Sequence, residues 1–199
     1  MAAATGAASR SSRSAAATVC SSPSTQSLLL PAGVPEAATT VDPVDKAVLR
    51  ISRFADLDAA TVYRLMRLRI EVFVVEQRCP YAELDGRDVE PGTRHLWTTD
   101  GDRVTAYLRI LVEPDGSYRI GRVCVPEAYR GAGFARRLVV EALTRTAADD
   151  PTADVVLDAQ SHLAGWYERL TFCADGKEFV EDDIPHVPMR LSRPCRSVV

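Results

Sequence analysis

The stretch from residue 118 to residue 159 constrains the fold more than any other part of the sequence. Its pattern predicts an apolar strand at Tyr118–Val125, a loop with two glycines, an amphipathic helix at Gly133–Ala148 and a second apolar strand at Ala153–Ala159. A helix that joins two strands of one sheet returns the chain to the end at which the first strand began, so the two strands run parallel. The sequence therefore predicts a parallel pair of strands.

Tight turns before this stretch predict an antiparallel meander. Asp100–Gly101–Asp102 and Pro114–Asp115–Gly116 supply turn residues between the strands predicted at Arg94–Thr99, at Arg103–Val112 and from Tyr118 onward. The remaining predicted elements are a strand at Val48–Arg53, helices at Asp58–Glu76 and His162–Leu170, and strands at Phe172–Lys177 and His186–Leu191. The predicted class is α+β, with a mixed, mostly antiparallel central sheet flanked by helices.

Composition changes abruptly near residue 45 and predicts two regions. Residues 1–45 are dominated by Ala, Ser, Thr and Pro without helical or strand periodicity, so we expect a disordered, low-complexity tail. Arg10 and Arg13, with no acidic residue before Glu36, have the bias of an organelle transit peptide. We prefer the interpretation of a variable tail or of a start codon assigned too far upstream. Residues 46–195 are expected to form one domain.

Charge and cysteine content argue against several classes of function. The formal net charge of −3 gives no electrostatic case for binding nucleic acid or an anionic membrane. The five cysteines form no C-x-x-C pair, which argues against a disulfide framework or a zinc site and favours the cytoplasm as the compartment. His95, His162 and His186 are too far apart in sequence for a local metal motif, so no metal is expected.

The loop Arg130–Ala135 indicates an anion-binding site. Gly131 and Gly133 lie at a predicted helix start, where backbone N–H groups have no helical carbonyl to bind and the helix dipole is positive. Glycine lets a phosphate approach the backbone, and Arg130 adds positive charge. Glycines kept for packing would explain the loop equally well when it is considered alone. The sequence has neither a P-loop motif nor a complete dinucleotide-binding fingerprint here.

The order of elements and this loop resemble the GNAT superfamily of acyl-CoA-dependent N-acetyltransferases. The family pattern places Gln or Arg, then Gly three residues later, then Gly or Ala two residues after that; Arg130, Gly133 and Ala135 match it. Trp166–Tyr167 match a second landmark, although Thr171 stands where the family has glycine. Further stretches resemble the ElaA-like subfamily: Val72–Gln77, Cys79–Tyr81, Thr93–Leu96, Ile184–His186 and Met189. The similarity runs from about residue 48 to residue 193.

The resemblance implies acetyl-CoA as a cosubstrate and assigns positions that would hold it. In the family, strand backbone groups bind the pantetheine arm and loop amides bind the pyrophosphate. The matching positions are Val123, Cys124 and Val125 on the strand, and Arg130, Gly131, Ala132, Gly133, Phe134 and Ala135 in the loop. The implied reaction moves an acetyl group to a primary amine in a ternary complex, with a small-molecule amine preferred over a protein lysine.

Catalytic residues are less well defined. Tyr167 matches the family's general acid, although its spacing alone indicates a packing residue. Many relatives place a glutamate on the strand before the loop, whereas Arg122 and its neighbours leave no carboxylate there. The candidate bases are therefore Glu71, Glu76, Asp85 and His95, with His186 a weaker one, and His95 has the ordinary pKa best suited to the task. Water could also take the proton, and no base is needed if the amine arrives neutral. Glu76 is equally explained as an exposed charge at a helix end, and His95 as a strand histidine hydrogen-bonded to a neighbour.

The charge preferred in the acceptor stays open at this point. Three arginines, at Arg69, Arg109 and Arg122, would favour an acceptor with a carboxylate or phosphate if they faced it. They could equally neutralise the acids of the polar loop at residues 79–92, namely Asp85, Asp88 and Glu90. We expect that loop to contact the acceptor, since loops on a rigid scaffold usually set specificity. The main alternative function is a non-catalytic module that binds acyl-CoA or a partner with the same fold. The sequence leaves the oligomeric state open, a homodimer included.

Overall fold

The computed structural model describes residues 43–194 of the chain. The tail predicted at residues 1–45 lies outside the described residues except for its last three positions, so that prediction stays a prediction. The described part begins with a short helix, α1, at Pro43–Lys46. No helix in this part of the chain is long and apolar enough to cross a membrane.

Eight strands of the described part form one sheet, with helices on both of its faces. The strands are β1 (Val48–Ser52), β2 (Arg94–Asp100), β3 (Arg103–Val112), β4 (Tyr118–Cys124), β5 (Val155–Gln160), β6 (Cys173–Ala174), β7 (Phe179–Glu181) and β8 (Ile184–Leu191). The other α-helices are α2 (Ala59–Arg69), α3 (Phe134–Asp149) and α4 (Ala164–Glu168), and a π-helix spans Ile70–Glu76. Short 3₁₀ turns lie at Phe54–Asp56, Arg87–Val89, Glu127–Tyr129 and Ser161–Leu163.

The sheet is mixed and mostly antiparallel, as predicted. Its strand order is β1-β2-β3-β4-β5-β8-β6, and β7 pairs with β8 as well. The pair β4–β5 is parallel and the other pairs are antiparallel. The predicted meander and the predicted crossover are therefore both confirmed, because α3 connects the two parallel strands.

The parallel pair is short. Tyr118 lies opposite Val155 and Arg119 opposite Val156, and the register of β4 with β5 ends there. From Ile120 onward β4 pairs with β3 alone. The two halves of the sheet therefore separate toward the carboxyl ends of β4 and β5, where the site described below lies.

The two faces of the sheet pack against different helices. On one face α3 buries Phe134, Leu138, Val139 and Ala142 against the main core. On the other face α2 and the π-helix bury Leu65, Leu68 and Val72 in a second cluster, with Trp97, Tyr107 and Cys124 of the sheet. Each helix contributes the apolar residues of one stripe, as its period of 3.6 residues requires.

The helix predicted at Asp58–Glu76 begins as expected and then changes form. Asp58 caps α2, because its side chain accepts hydrogen bonds from the backbone N–H and the hydroxyl of Thr61, at 2.8 Å and 2.7 Å. From Ile70 the helix widens into the π-helix, and the N–H of Gln77 donates to the carbonyl of Val72 at 3.2 Å. Four of its seven residues are β-branched, which weakens the preference for an α-helix there. Apolar periodicity carries no signal for this change.

The carboxyl-terminal strands differ from the prediction. The strand expected at Phe172–Lys177 is only the two-residue β6. The strand β7 was not predicted. Asp182 and Asp183 join β7 to β8 with φ values of 49° and 63°, the left-handed conformation that a two-residue hairpin turn requires. An Asp–Asp pair is a weaker turn signal than Asn–Gly, so the hairpin was not recognisable by pattern.

Candidate active site

A bulge in β4 lies where the two halves of the sheet separate. Tyr107 of β3 is opposite Cys124, and Arg109 is opposite Gly121, so two residues of β4, Arg122 and Val123, face one residue of β3. Arg122 has φ of +55°, which is unusual for a residue other than glycine. A bulge interrupts the backbone pairing of its strand. The bulge therefore leaves backbone groups of β4 available at the opening.

The strand positions expected to hold the pantetheine arm flank this opening. Val123 and Val125 are partly buried and pack against the main core, whereas Cys124 is buried on the opposite face. Burial raises the pKa of the Cys124 thiol, so the thiol stays protonated at neutral pH. A thiol in that state and position does not act as a nucleophile, and the contribution of these residues to a site comes from their backbone.

The loop before α3 presents a run of free backbone donors. Gly131 and Gly133 have φ of +77° and +91°, and Gly133 starts α3 without a side-chain cap. The first backbone hydrogen bond of the helix runs from the N–H of Arg137 to the carbonyl of Gly133. The N–H groups of residues 131–136 donate to no acceptor within residues 43–194. Six consecutive free donors at a helix start form a site for an anion.

An open cavity of about 550 Å³ borders this loop. Ala132, Gly133 and Arg136 line it from the side of α3, and residues of α1 line it from the other side. Arg136 is exposed and forms no ion pair within the described part of the chain. Arg136 was not predicted as a site residue, although an arginine in the first helical turn after such a loop is a recognisable signal for a phosphate contact.

Arg130 and Glu76, two of the predicted site residues, lie together. The Nε of Arg130 donates to the carbonyl of Val125 at 3.0 Å, and its Nη2 lies 2.6 Å from Oε2 of Glu76. The Arg130 hydrogen bond holds the pKa of Glu76 below its ordinary value. Glu76 is therefore a weaker proton acceptor than a free glutamate. The ion pair with Arg130 places Glu76 beside the loop Arg130–Ala135.

Tyr167 is buried among aromatic rings. It lies on α4, only 6 % exposed, with its ring edge-on to those of Trp166 and Phe172 at centroid distances of 4.8 Å and 5.9 Å. Burial raises its pKa to about 12, so the hydroxyl keeps its proton at neutral pH. That hydroxyl forms no hydrogen bond with any described residue. Its oxygen is not fully enclosed by protein atoms.

His95, a candidate base like Glu76, is enclosed. Its ring is 0 % exposed, Nδ1 lies 2.7 Å from the hydroxyl of Tyr107, and Nε2 lies 3.1 Å from the carbonyl of Asp88. Burial lowers its pKa, so it is neutral. A base needs a free nitrogen within reach of the substrate. The arrangement agrees instead with the alternative of a strand histidine hydrogen-bonded to its neighbours.

Six charged side chains form a closed ring of ion pairs under the bulge. In order they are Arg69, Glu83, Arg122, Asp85, Arg109 and Asp88. Each arginine lies between two carboxylates, and the longest N–O distance is 3.4 Å, between Arg122 and Asp85. We call this set the arginine–carboxylate ring. Three positive and three negative charges make it neutral.

The ring distinguishes between the two roles that the sequence left open for the three arginines. Arg69 and Arg109 are almost fully buried and paired, which supports neutralisation over attraction of an anionic acceptor. Glu83 takes the place expected of Glu90, which pairs with Arg87 instead. The carboxylates of the ring come from the polar loop at residues 79–92. We call it the acceptor loop, because it is the loop expected to contact the acceptor. The loop is thus bound firmly to the sheet.

The acceptor loop also contacts the far side of the opening. The thiol of Cys79 lies 3.5 Å from the carbonyl of Asp182, in the turn between β7 and β8. Next to the loop, Gln77 accepts a hydrogen bond at 3.4 Å from Gln160 at the end of β5. These contacts join the two halves of the sheet beyond the point where β4 and β5 separate.

Acidification should weaken the arginine–carboxylate ring. Burial alone would raise the pKa of Asp88, but hydrogen bonds and charges from Arg69 and Arg109 outweigh it and hold the pKa below its ordinary value. The stability that such a carboxylate adds is present above its unfolded-state pKa of about 4 and is lost as the pH falls through the folded-state pKa. Urea unfolding should therefore show a free energy of unfolding that falls from about pH 5 to pH 3. An Asp88→Asn variant should lose less over this interval, and an equal loss would contradict the assignment.

Comparison with known proteins identifies the family of the chain. The family model described as "Acetyltransferase (GNAT) domain" matches residues 58–193, more than half of the chain. The chain belongs to the GNAT acetyltransferase family. GNAT proteins are acyl-CoA N-acyltransferases. The match confirms the predicted family, and the solved structures described below confirm the predicted fold.

Individual relatives narrow the GNAT assignment to the ElaA-like group. A UPF0039 protein from Mycobacterium bovis is 49 % identical over 139 residues, which cover 67 % of this chain and 86 % of that protein. Protein ElaA from Escherichia coli is 38 % identical over 137 residues, covering 68 % and 90 %. The crystal structure of ElaA aligns with a TM-score of 0.69 at 35 % identity over 72 % of this chain and 98 % of that one.

Two further solved structures share the GNAT fold. An acyl-CoA N-acyltransferase from Pseudomonas aeruginosa aligns with a TM-score of 0.69 at 41 % identity, over 72 % of this chain and 98 % of that one. An aminoglycoside 6'-N-acetyltransferase complexed with coenzyme A aligns with a TM-score of 0.58 at 15 % identity, over 74 % and 98 %. At that identity the second likeness concerns the fold alone.

Proposed function

We propose that the protein transfers an acetyl group from acetyl-CoA to a primary amine by direct attack in a ternary complex. The observation that carries the proposal is the run of free N–H groups at residues 131–136, beside the open end of β4. Backbone donors at a helix start bind phosphates without needing a metal or a side-chain cap. Membership of the GNAT family supports an acyl-CoA as the molecule that carries those phosphates.

The residues of the site fit this cosubstrate. The free edge of β4 at Val123 and Val125 offers backbone groups to the amides of the pantetheine arm, as a neighbouring strand would. The amides of residues 131–136 would hold the pyrophosphate, and Arg136 adds positive charge beside them. Gly131 and Gly133 keep that surface free of side chains, since no heavy atom comes closer than 3.9 Å to a Cβ built on either.

The chemical step needs an oxyanion site and a proton donor. Acetyl-CoA supplies the acetyl group as a thioester; the amine nitrogen forms a bond to the carbonyl carbon, and the carbon–sulfur bond breaks. Backbone N–H groups at the β4 bulge, where the register with β3 is interrupted, would stabilise the negative charge that develops on the carbonyl oxygen. Tyr167 donates its proton to the departing thiolate sulfur. The main candidate bases are all engaged: Glu71, Glu76 and Asp85 are ion-paired, and both nitrogens of His95 have partners. We therefore assign the proton of the amine to solvent, from which Tyr167 regains its own proton.

A Gly133→Val variant should bind acetyl-CoA about 10- to 100-fold more weakly than the unaltered protein. Valine is strained at a φ of +91°, and its side chain would occupy the space in front of the free amides. Gly116→Val is the matched control, because Gly116 has a φ of +86° and equally open surroundings but lies in the turn between β3 and β4. Isothermal titration of acetyl-CoA into both folded variants makes the comparison. Equal affinities would remove the loop from the proposed site.

The decisive experiment for the function is a screen of amines with acetyl-CoA that detects released thiol. We expect turnover with one or more small primary amines and little with peptide lysines. Binding of acetyl-CoA without turnover of any amine class would favour a non-catalytic acyl-CoA-binding module. Failure to bind acetyl-CoA at all would overturn the proposal entirely.

A further inference from the structure

The backbone of Arg122 is held in a conformation that its own side chain does not favour. A φ of +55° places Arg122 in the left-handed region, which glycine and asparagine adopt far more readily than arginine. A residue persists there when its surroundings fix it. The side chain of Arg122 provides such contacts, because its guanidinium reaches away from β4 into the acceptor loop.

The guanidinium of Arg122 is the member of the ring that connects the loop with the bulge. Its Nε lies 2.7 Å from Oε2 of Glu83, without the alignment of a hydrogen bond, and its Nη2 lies 3.4 Å from Oδ2 of Asp85. It also lies over the ring of Tyr81, 5.5 Å from the centroid, while the Tyr81 hydroxyl donates to Glu83. Arg122 thus contacts three side chains of the acceptor loop and belongs to the bulge itself.

The rest of the ring forms a rigid base for this connection. Arg69 ends α2, Arg109 lies on β3 opposite Gly121, and both bind Asp88, which is 6 % exposed. Buried side chains with several charged partners have little freedom to move, because every displacement leaves a charge unpaired. Arg122 is the most exposed of the three arginines, so it is the position where the ring can be opened with the smallest loss of buried contacts.

We propose that Arg122 is a positioning residue that fixes the β4 bulge and the acceptor loop as one unit. This inference rests on the proposed function, in which the bulge holds the carbonyl oxygen. It adds that the acceptor loop contacts the amine, since loops on a rigid scaffold usually set specificity. Through Arg122 the donor that stabilises the oxyanion and the surface that receives the amine keep a constant separation. The side chain acts through backbone and loop, and touches neither reactant. Its loss should therefore affect turnover more than acetyl-CoA binding.

Arg122→Gly isolates the side chain from the backbone. Glycine adopts a φ of +55° without strain, so the variant keeps the bulge and loses only the contacts to Tyr81, Glu83 and Asp85. Arg119→Ala is the control on the same strand, because alanine removes the side-chain contacts and keeps the extended backbone that pairs with Val156. Arg119 is 33 % exposed against 24 % for Arg122, and it also bridges two carboxylates, those of Glu113 and Asp158, away from the bulge.

The expected result is a fall in kcat of about tenfold or more in Arg122→Gly, with an acetyl-CoA affinity within about twofold of the unaltered protein. Amide hydrogen exchange should become faster in residues 79–92 and 120–125, and millimolar guanidinium should restore part of the turnover. Arg119→Ala should show none of these effects. If Arg122→Gly does not fold, Arg122→Lys replaces it, because a single ammonium group keeps the charge without bridging two carboxylates.

Several results would overturn the inference. Turnover and exchange in Arg122→Gly equal to those of Arg119→Ala would show that the side chain positions nothing. An equal loss of acetyl-CoA affinity and kcat would make Arg122 a cofactor contact instead, and a rise in KM confined to acidic amines would make it an acceptor contact. If the unaltered protein acetylates no amine, the proposed function fails, and the exchange comparison alone decides whether Arg122 connects loop and bulge.

Discussion

Replacing Asp88 with asparagine should lower the free energy of unfolding by about 3–5 kcal/mol. Asp88 accepts charged hydrogen bonds from Arg69 at 2.6 Å and Arg109 at 2.9 Å, and all three side chains are almost fully buried. Asparagine keeps the shape of the side chain but removes the charge, which leaves two buried guanidinium groups with a single carboxylate each. A domain of this size has a total stability of about 5–15 kcal/mol, so the variant should be close to unfolding at physiological temperature.

Urea unfolding monitored by circular dichroism measures this loss. Asp158→Asn is the control, because Asp158 pairs with Arg119 at the surface, where both side chains are about one-third exposed. Surface pairs contribute about 0–1 kcal/mol. A loss in Asp88→Asn as small as that in Asp158→Asn would mean that the buried ring adds little to stability.

Replacing Tyr167 with phenylalanine should lower kcat by about 100-fold or more while leaving acetyl-CoA affinity unchanged. The variant removes the hydroxyl that would protonate the thiolate and keeps the ring contacts with Trp166 and Phe172. Steady-state release of coenzyme A and calorimetric binding of acetyl-CoA separate the two quantities.

Tyr118→Phe controls for the loss of any partly buried tyrosine hydroxyl. Tyr118 packs against the same core, and burial raises its pKa as well, but it lies at the start of β4, away from the opening. Turnover of Tyr118→Phe should match that of the unaltered protein. Retained turnover in Tyr167→Phe would transfer the role of proton donor to another group or to water.

Local patterns were sufficient to predict much of the fold. The Asp58 cap, the turns at Gly101 and Gly116 and the apolar stripe of α3 depend on residues close together in sequence, and the structure has each of them. The meander of β2, β3 and β4 and the parallel pairing of β4 with β5 then followed from short connections and one crossover helix, whereas the places of β1, β6 and β8 in the sheet were not predicted. The π-helix and β7 were missed because their sequence signals are weak.

The charged part of the site was beyond such patterns. The arginine–carboxylate ring takes its members from α2, the acceptor loop, β3 and β4, and no spacing rule relates those positions. One signal was present, since Arg69 falls on the apolar stripe of its helix and a charged residue there needs a buried partner. The burial of His95 was equally hidden, because an alternating strand pattern shows which face a residue is on and not what covers it.

The short parallel pairing of β4 with β5 implies a conflict between the stability of the sheet and the activity of the site. Two residue pairs, at Tyr118 and Arg119, are all that unite the sheet halves by strand pairing, and the opening exists because pairing stops there. Substitutions at residues 120–124 that let β5 pair further would add backbone hydrogen bonds and close the space for a pantetheine arm. Selection for activity should therefore preserve a weaker sheet at these positions, and stabilising variants found there should be the ones that lose function.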